Sequence, residues 1–212
     1  MTPELVIFDC DGVLVDTELA TNTVIAENLQ NYGLQITPDE TISLFAGGTM
    51  KSAGQEAQRR GAILPANWLN EIYDQVFARL REGVDVIDGV WPLLDRLGDT
   101  RIAIASNGPM EKMEVTLKPS GLWDHFAGRI YSGHDHGPKP APDMLLTIVK
   151  DAGVGVAETV MIDDMPSGCR AAQAAEIRCF GYVAQGDPTR IHGTGAIPVT
   201  CLSAVVSALD LH

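Results

Sequence analysis

Residues 5–16 read Leu-Val-Ile-Phe-Asp-Cys-Asp-Gly-Val-Leu-Val-Asp. An apolar run stops abruptly at two carboxylates, Asp9 and Asp11, followed by Gly12. Four apolar residues in succession predict a strand buried on both faces, the pattern of a parallel sheet covered by helices. Paired acids at the end of such a strand are costly, because like charges this close repel and desolvate badly. A divalent cation removes that cost, since hard cations take oxygen ligands. Asp9 and Asp11 stand two apart, so in extended backbone they share a face. Open α/β sheets place their ligands at the carboxyl ends of strands. The local reading is a strand-end metal site with a potential carboxylate nucleophile. The competing reading is a turn cap, Asp-Gly being common turn chemistry.

Further apolar stretches at 101–106, 159–163 and 177–183 read as strands, with another at 128–132, and the first strand spans 4–9. Amphipathic stretches at 90–98, 110–118, 142–152 and 166–176 alternate with them. This order predicts an α/β fold with a doubly wound parallel sheet. Residues 18–82 break the rhythm, with helical segments near 18–32, 39–46, 50–60 and 66–81, punctuated by Gly33, Pro38, Gly47, Gly48 and Pro65. They predict a helical subdomain, 17–84, inserted into a core of 1–16 and 85–212. Residues 185–200 read as an irregular connection and 201–211 as a packing segment.

Charge narrows the partners. A formal net charge of −13 argues against nucleic acid and against anionic membrane surfaces. A small anion remains compatible, because a bound cation and a few lysines set the local field. No apolar run approaches membrane-spanning length, and the first is broken at Asp9, unlike a signal peptide. Cys10, Cys169, Cys179 and Cys201 form no C-x-x-C pair, which predicts buried reduced thiols in a cytoplasmic protein.

The remaining polar clusters each follow a predicted strand. Ser106-Asn107-Gly108 follows the second and Asp163-Asp164 the third, while Lys139 sits in Gly-Pro-Lys-Pro-Ala-Pro-Asp, stiffened by three prolines. Taken singly, Ser106 reads as a helix N-cap before Pro109, Lys139 as a surface lysine, and one of the two acids as a cap ahead of Pro166. Together they place two acidic clusters, a hydroxyl, an amide and a lysine in one crevice, a set suited to a divalent ion and a phosphoryl group.

The constellation resembles the haloacid dehalogenase superfamily, in its phosphatase and phosphomutase branch. Four motifs carry the resemblance: the run Phe8–Glu18, then Ser106-Asn107-Gly108, Lys139-Pro140-Ala141-Pro142-Asp143, and Ile162-Asp163-Asp164-Met165-Pro166-Ser167-Gly168. The helical insertion looks like that family's cap. The resemblance implies Asp9 as nucleophile, Asp11 as acid and then base, Ser106 and the Asn107 backbone on the phosphoryl oxygens, and Lys139 as the balancing cation. It implies Mg2+ on Asp9, the Asp11 carbonyl, Asp164 and, directly or through water, Asp163. Gly48, Thr49 and Lys51, in Gly47-Gly48-Thr49-Met50-Lys51, form the candidate substrate-facing cap loop. Lys51 reads equally as an exposed lysine at a helix start.

Within the branch, members similar to 6-phosphogluconate phosphatase and to β-phosphoglucomutase differ in the cap. The mutases carry a cap histidine and a cap-loop arginine, where this chain has Thr21 and Met50. The reading is therefore a Mg2+-dependent phosphatase acting on a sugar phosphate or phosphosugar acid, with a mutase as the alternative. Receiver domains of signalling systems share the residue types in a different order, and an inactive binding relative would not fill every chemical position. The expected partner is a small phosphorylated metabolite, and the expected state a monomer. His134 and His136 read as a solvated turn.

Overall fold

The computed structural model describes residues 2–45, 50–184 and 188–211. The chain divides into two compact units, one of residues 1–15 and 86–212, the other of residues 16–85.

The larger unit is built on six strands. β1 (Leu5–Phe8) precedes the short β2 (Val15–Asp16). The helical unit follows with α1 (Glu18–Asn31), α2 (Pro38–Phe45), α3 (Met50–Arg59) and α4 (Trp68–Arg81). The chain then runs β3 (Asp85–Val86), α5 (Val90–Leu97), β4 (Arg101–Ser106), α6 (Met110–Leu117), β5 (Ile130–Ser132), α7 (Gly133–His136) and α8 (Asp143–Ala152). It ends with β6 (Thr159–Asp163), α9 (Pro166–Ala174), β7 (Arg178–Tyr182), β8 (Ile197–Val199) and α10 (Leu202–Ala208). The large sheet has the order β5-β4-β1-β6-β7-β8, and every neighbouring pair is parallel. The small strands β2 and β3 form a two-stranded pair.

Winding explains why the sheet has a crevice. From β1 the chain proceeds outward to β4 and β5, then returns to the other side of β1 for β6, β7 and β8. The direction reverses between β1 and β6, so connections diverge there and leave room for a ligand at the carboxyl edge. Register sets what lies at that edge. Phe8 pairs with Ile104 on one side and Ile162 on the other, and Ile162 pairs with Phe180. The next residues along β1 and β6 are Asp9 and Asp163, and the Asp9 amide donates to the Ile162 carbonyl at 2.9 Å.

Both faces are covered, as the unbroken apolar strands require. Leu5, Ile7, Ala103, Ala105 and Met161 pack in one cluster with Met144, Leu145 and Ile148 of α8 and Ala171 and Ala172 of α9. On the other face Phe8 meets Phe126 edge-to-face at 5.7 Å. Each such side chain, removed from water, contributes about 1.5–3 kcal/mol.

Three local expectations are corrected. Residues 197–199, read as irregular, form β8, pairing Phe180 with Ile197 and Tyr182 with Val199. Pro198 hid it from pattern reading, but an edge strand tolerates a missing donor. His134 and His136 lie in the one-turn helix α7, capped by Ser132 Oγ, with His136 tilted against Tyr131 at 5.2 Å. Cys201, grouped with the buried thiols, is exposed, whereas Cys10, Cys169 and Cys179 are buried.

In the helical unit, Trp68, Ile72, Val76 and Leu80 form the buried stripe of α4, spaced four apart on one face. Ile25, Ala26 and Leu29 are the buried apolar residues of α1. α2 begins with a capping box: Glu40 Oε2 accepts from the Thr37 amide at 2.8 Å, and the Glu40 amide donates to Thr37 Oγ1 at 3.3 Å. Among the described residues no helix is long and apolar enough to cross a membrane.

Candidate active site

At the carboxyl edge between β1 and β6, one lysine lies between two acids. Lys139 Nζ donates to Asp9 Oδ1 and, at 2.7 Å, to Asp163 Oδ2. The side chains of Lys139, Asp9 and Asp163 are 3%, 10% and 0% exposed. The surface-lysine reading of Lys139 is therefore corrected: its ammonium is buried because two carboxylates are buried with it. Burial alone would lower its pKa, and the charges of Asp163 and Asp9 override that and raise it.

The loop that carries Lys139 is held from β4. The Lys139 amide donates to Asn107 Oδ1 at 2.7 Å, and Asn107 Nδ2 donates back to the Lys139 carbonyl at 2.9 Å. Asn107, expected among the substrate-binding residues, thus has its side chain engaged in placing the lysine. Ser106 is buried at the end of β4, and its Oγ accepts from the Gly108 amide at 3.1 Å. It is not the N-cap of α6, a position taken by Pro109. A hydroxyl that accepts at oxygen keeps its own hydrogen to donate.

The neighbouring acids Asp163 and Asp164 do different things. Asp163 Oδ2 accepts from Lys139, and its Oδ1 accepts from the Met165 amide at 2.8 Å. Asp164 has a buried oxygen, Oδ1, with no hydrogen-bond partner among the described residues. Two glycines make room for these side chains. A Cβ at Gly168 would lie 1.8 Å from Asp163 Oδ2, and one at Gly12, which has φ +84°, would lie 2.6 Å from Asp164 Oδ2. Any side chain there displaces a carboxylate.

Oxygens of Asp9, Asp163 and Asp164 lie within 4.8 Å of one another. Burial raises the Asp9 pKa to about 7 even against Lys139. Burial, together with the charges of Asp9 and Asp163, raises Asp164 to about 8. Asp9 Oδ2 carries no hydrogen bond among the described residues. Buried carboxylates in this surplus, one with an orphaned oxygen, are chemically suited to a hard divalent cation. Cys10, between the acids, is not a competing nucleophile, since burial and the charges of Asp11 and Asp9 push its thiol well up.

Asp11 lies beside a residue that sequence reasoning gave no role. Lys112, in the first turn of α6, donates from Nζ to Asp11 Oδ2 at 2.8 Å. Burial lowers the Lys112 pKa, but the charge and hydrogen bond of Asp11, with the charges of Cys10 and Asp9, together outweigh it and the net shift is upward. The pair joins residues 101 positions apart, so no local spacing announces it. The available signal was its place one helical turn beyond the Ser106 strand end. The larger unit therefore gathers Asp9, Asp11, Ser106, Asn107, Lys139, Asp163 and Asp164. Lys51 lies exposed on α3 in the helical unit, and Gly48 and Thr49 fall outside the described residues.

Residues 6–182 match a family model described as haloacid dehalogenase-like hydrolase. A solved haloacid dehalogenase-like protein of unknown function from Agrobacterium tumefaciens is 33% identical, with a TM-score of 0.86 over 98% of this chain and 99% of that one. A HAD family hydrolase from Deinococcus radiodurans, solved with bound phosphate and sodium, is 26% identical with a TM-score of 0.82, covering 99% of this chain and 96% of that one. The 6-phosphogluconate phosphatase of Escherichia coli is 27% identical over 184 residues, 85% of this chain and 83% of that protein.

Proposed function

Because the chain belongs to the haloacid dehalogenase-like hydrolase family, we propose that it is a phosphatase, hydrolysing a sugar phosphate or phosphosugar acid through an aspartyl-phosphate on Asp9. The observation that carries this reading is the buried Asp9 carboxylate, one oxygen on Lys139 and the other without a hydrogen bond among the described residues. The E. coli relative that acts on 6-phosphogluconate supports the substrate class, and the phosphate bound in the Deinococcus structure supports a phosphoryl ligand.

In the first half-reaction Asp9 Oδ2 attacks phosphorus, and the bond from phosphorus to the ester oxygen breaks. Asp11 gives its proton to the departing oxygen. In the second, a water attacks phosphorus, passes its proton to Asp11, and the bond to Asp9 breaks, restoring the nucleophile. Splitting one displacement into two lowers each barrier. Ser106 donates its hydrogen to a phosphoryl oxygen. Lys139 holds the nucleophile and lies where negative charge gathers, and Asp163 fixes the lysine. Such preset donors and cations supply most of the stabilisation in phosphoryl transfer. Asp9, the Asp11 carbonyl and Asp164 are the residues that would hold Mg2+, with Asp163 braced behind them by Lys139 and Met165. When bound, the ion would offset charge on the phosphoryl oxygens.

Hydrolysis is preferred to the mutase reaction because Thr21 and Met50 stand where that resemblance calls for a histidine and an arginine. The test is phosphate release from a panel of esters, with Mg2+ and with chelator, for wild type and Asp9→Asn. Mg2+-dependent release that Asp9→Asn loses supports the reading. Interconversion of hexose 1- and 6-phosphates without release would replace it with the mutase.

A further inference from the structure

Asp11 must exchange a proton with the leaving group, and a carboxylate on a short side chain needs something to fix its direction. The ammonium of Lys112 meets Asp11 Oδ2 at 2.8 Å, and the two side chains are 22% and 27% exposed. An ion pair in full solvent adds little to stability, since water screens it and both side chains lose freedom. This pair is mostly withdrawn from solvent. The stem of Lys112 runs close to the loop that bears Ser106: a Cβ added at Gly108 would lie 3.6 Å from its Cδ. The next residue after Gly108 is Pro109, which caps α6, so the strand end that presents Ser106 also launches the helix that presents Lys112.

Resting on the phosphatase reading, we propose that Lys112 is the positioning residue for the acid–base carboxylate: by holding Asp11 Oδ2 it fixes the direction in which the carboxyl group meets the leaving oxygen. Lys112 itself transfers no proton and makes no bond to phosphorus. Its effect must then depend on how much the leaving group needs an acid. The alkoxide of a sugar phosphate leaves poorly without a proton, whereas p-nitrophenolate leaves readily without one. A lysine that served only the fold, or only the charge of the phosphoryl group, would affect both esters alike.

The experiment compares kcat/KM for fructose 1-phosphate, 6-phosphogluconate and p-nitrophenyl phosphate in wild type, Lys112→Met and Lys112→Arg, with Mg2+ present. Lys112→Met should lose about tenfold or more on the better of the two sugar esters, a modest share of what a positioned acid contributes, and less than about threefold on the nitrophenyl ester. Lys112→Arg should recover most of the loss. If Lys112→Met does not fold, Lys112→Gln carries the same expectation. Equal losses on both kinds of ester, no loss, or a gain on the sugar ester would each overturn the proposal, as would failure of Lys112→Arg to recover activity. A wild type that releases phosphate from none of the three would overturn the phosphatase reading and this inference with it.

Discussion

Each unit of the molecule buries one polar cluster, and the two are built in opposite ways. In the helical unit Asn28 is 2% exposed, and its Oδ1 accepts from Trp68 Nε1 at 2.7 Å. Asn28 Nδ2 donates to Glu71 Oε1 and Gln75 Oε1, both at 3.0 Å, and Tyr32 donates to Glu71 Oε2 at 2.7 Å. Both Nδ2 donors are used and Oδ1 accepts from Trp68, so the cluster ties α1 to α4 and keeps no free donor for a ligand. At the edge of the large sheet, Lys139 satisfies Asp9 and Asp163 in part, while, among the described residues, one oxygen of Asp164 and one of Asp9 have no hydrogen bond. The difference separates a buried polar group that builds structure from one that awaits a ligand: the first is complete, the second is left incomplete at a cost the fold carries.

That contrast can be broken by substitution, starting with the largest effect. Asp9→Asn should lower kcat by about four orders of magnitude or more while leaving the urea midpoint close to wild type; substantial residual turnover would move the nucleophile elsewhere. Lys139→Met should reduce both properties, by about a hundredfold in kcat/KM and about 3 kcal/mol in stability, because two buried carboxylates lose their cation. Asn28→Ala should cost about 2 kcal/mol by stranding the Trp68 and Glu71 groups, with kcat per folded molecule unchanged. A kinetic effect as large as that of Lys139→Met would mean the Asn28 cluster is more than structural. Thr37→Ala, which opens the capping box of α2, should cost about 1 kcal/mol in urea unfolding and leave turnover unaltered.

The comparison also shows why the sequence was readable in some places and not others. β1, β4, β6 and β7 are buried on both faces, so their apolar runs announced them, and Asp9 and Asp163 were conspicuous as acids ending such runs. β8 was hidden because three residues including Pro198 carry no period. The site residues could be found one by one, but not who holds whom. Taken singly, Lys139 read as a surface lysine, and only the joint constellation made it a balancing cation, because its partner Asp9 lies 130 positions away. Asn107 was expected to act through its backbone, and the reciprocal side-chain bonds with Lys139 could not be read from the sequence. The division between a braced Asp163 and an Asp164 with one orphaned oxygen among the described residues, and the pairing of Lys112 with Asp11, arise only when the crossovers close.

The position of β1 in the sheet bears on how the chain is made. β1 leaves the ribosome before either strand that flanks it, since β4 begins at Arg101 and β6 at Thr159. At roughly 5–20 residues per second, the interval from β1 to β6 is on the order of 8–30 s. The intervening helices make mainly local contacts and can form early in that interval. Until β4 is made Leu5–Phe8 is a nascent hydrophobic strand with no neighbour, and until β6 is made it has only one. The arrangement that centres Asp9 in the finished crevice therefore exposes its strand longest during synthesis.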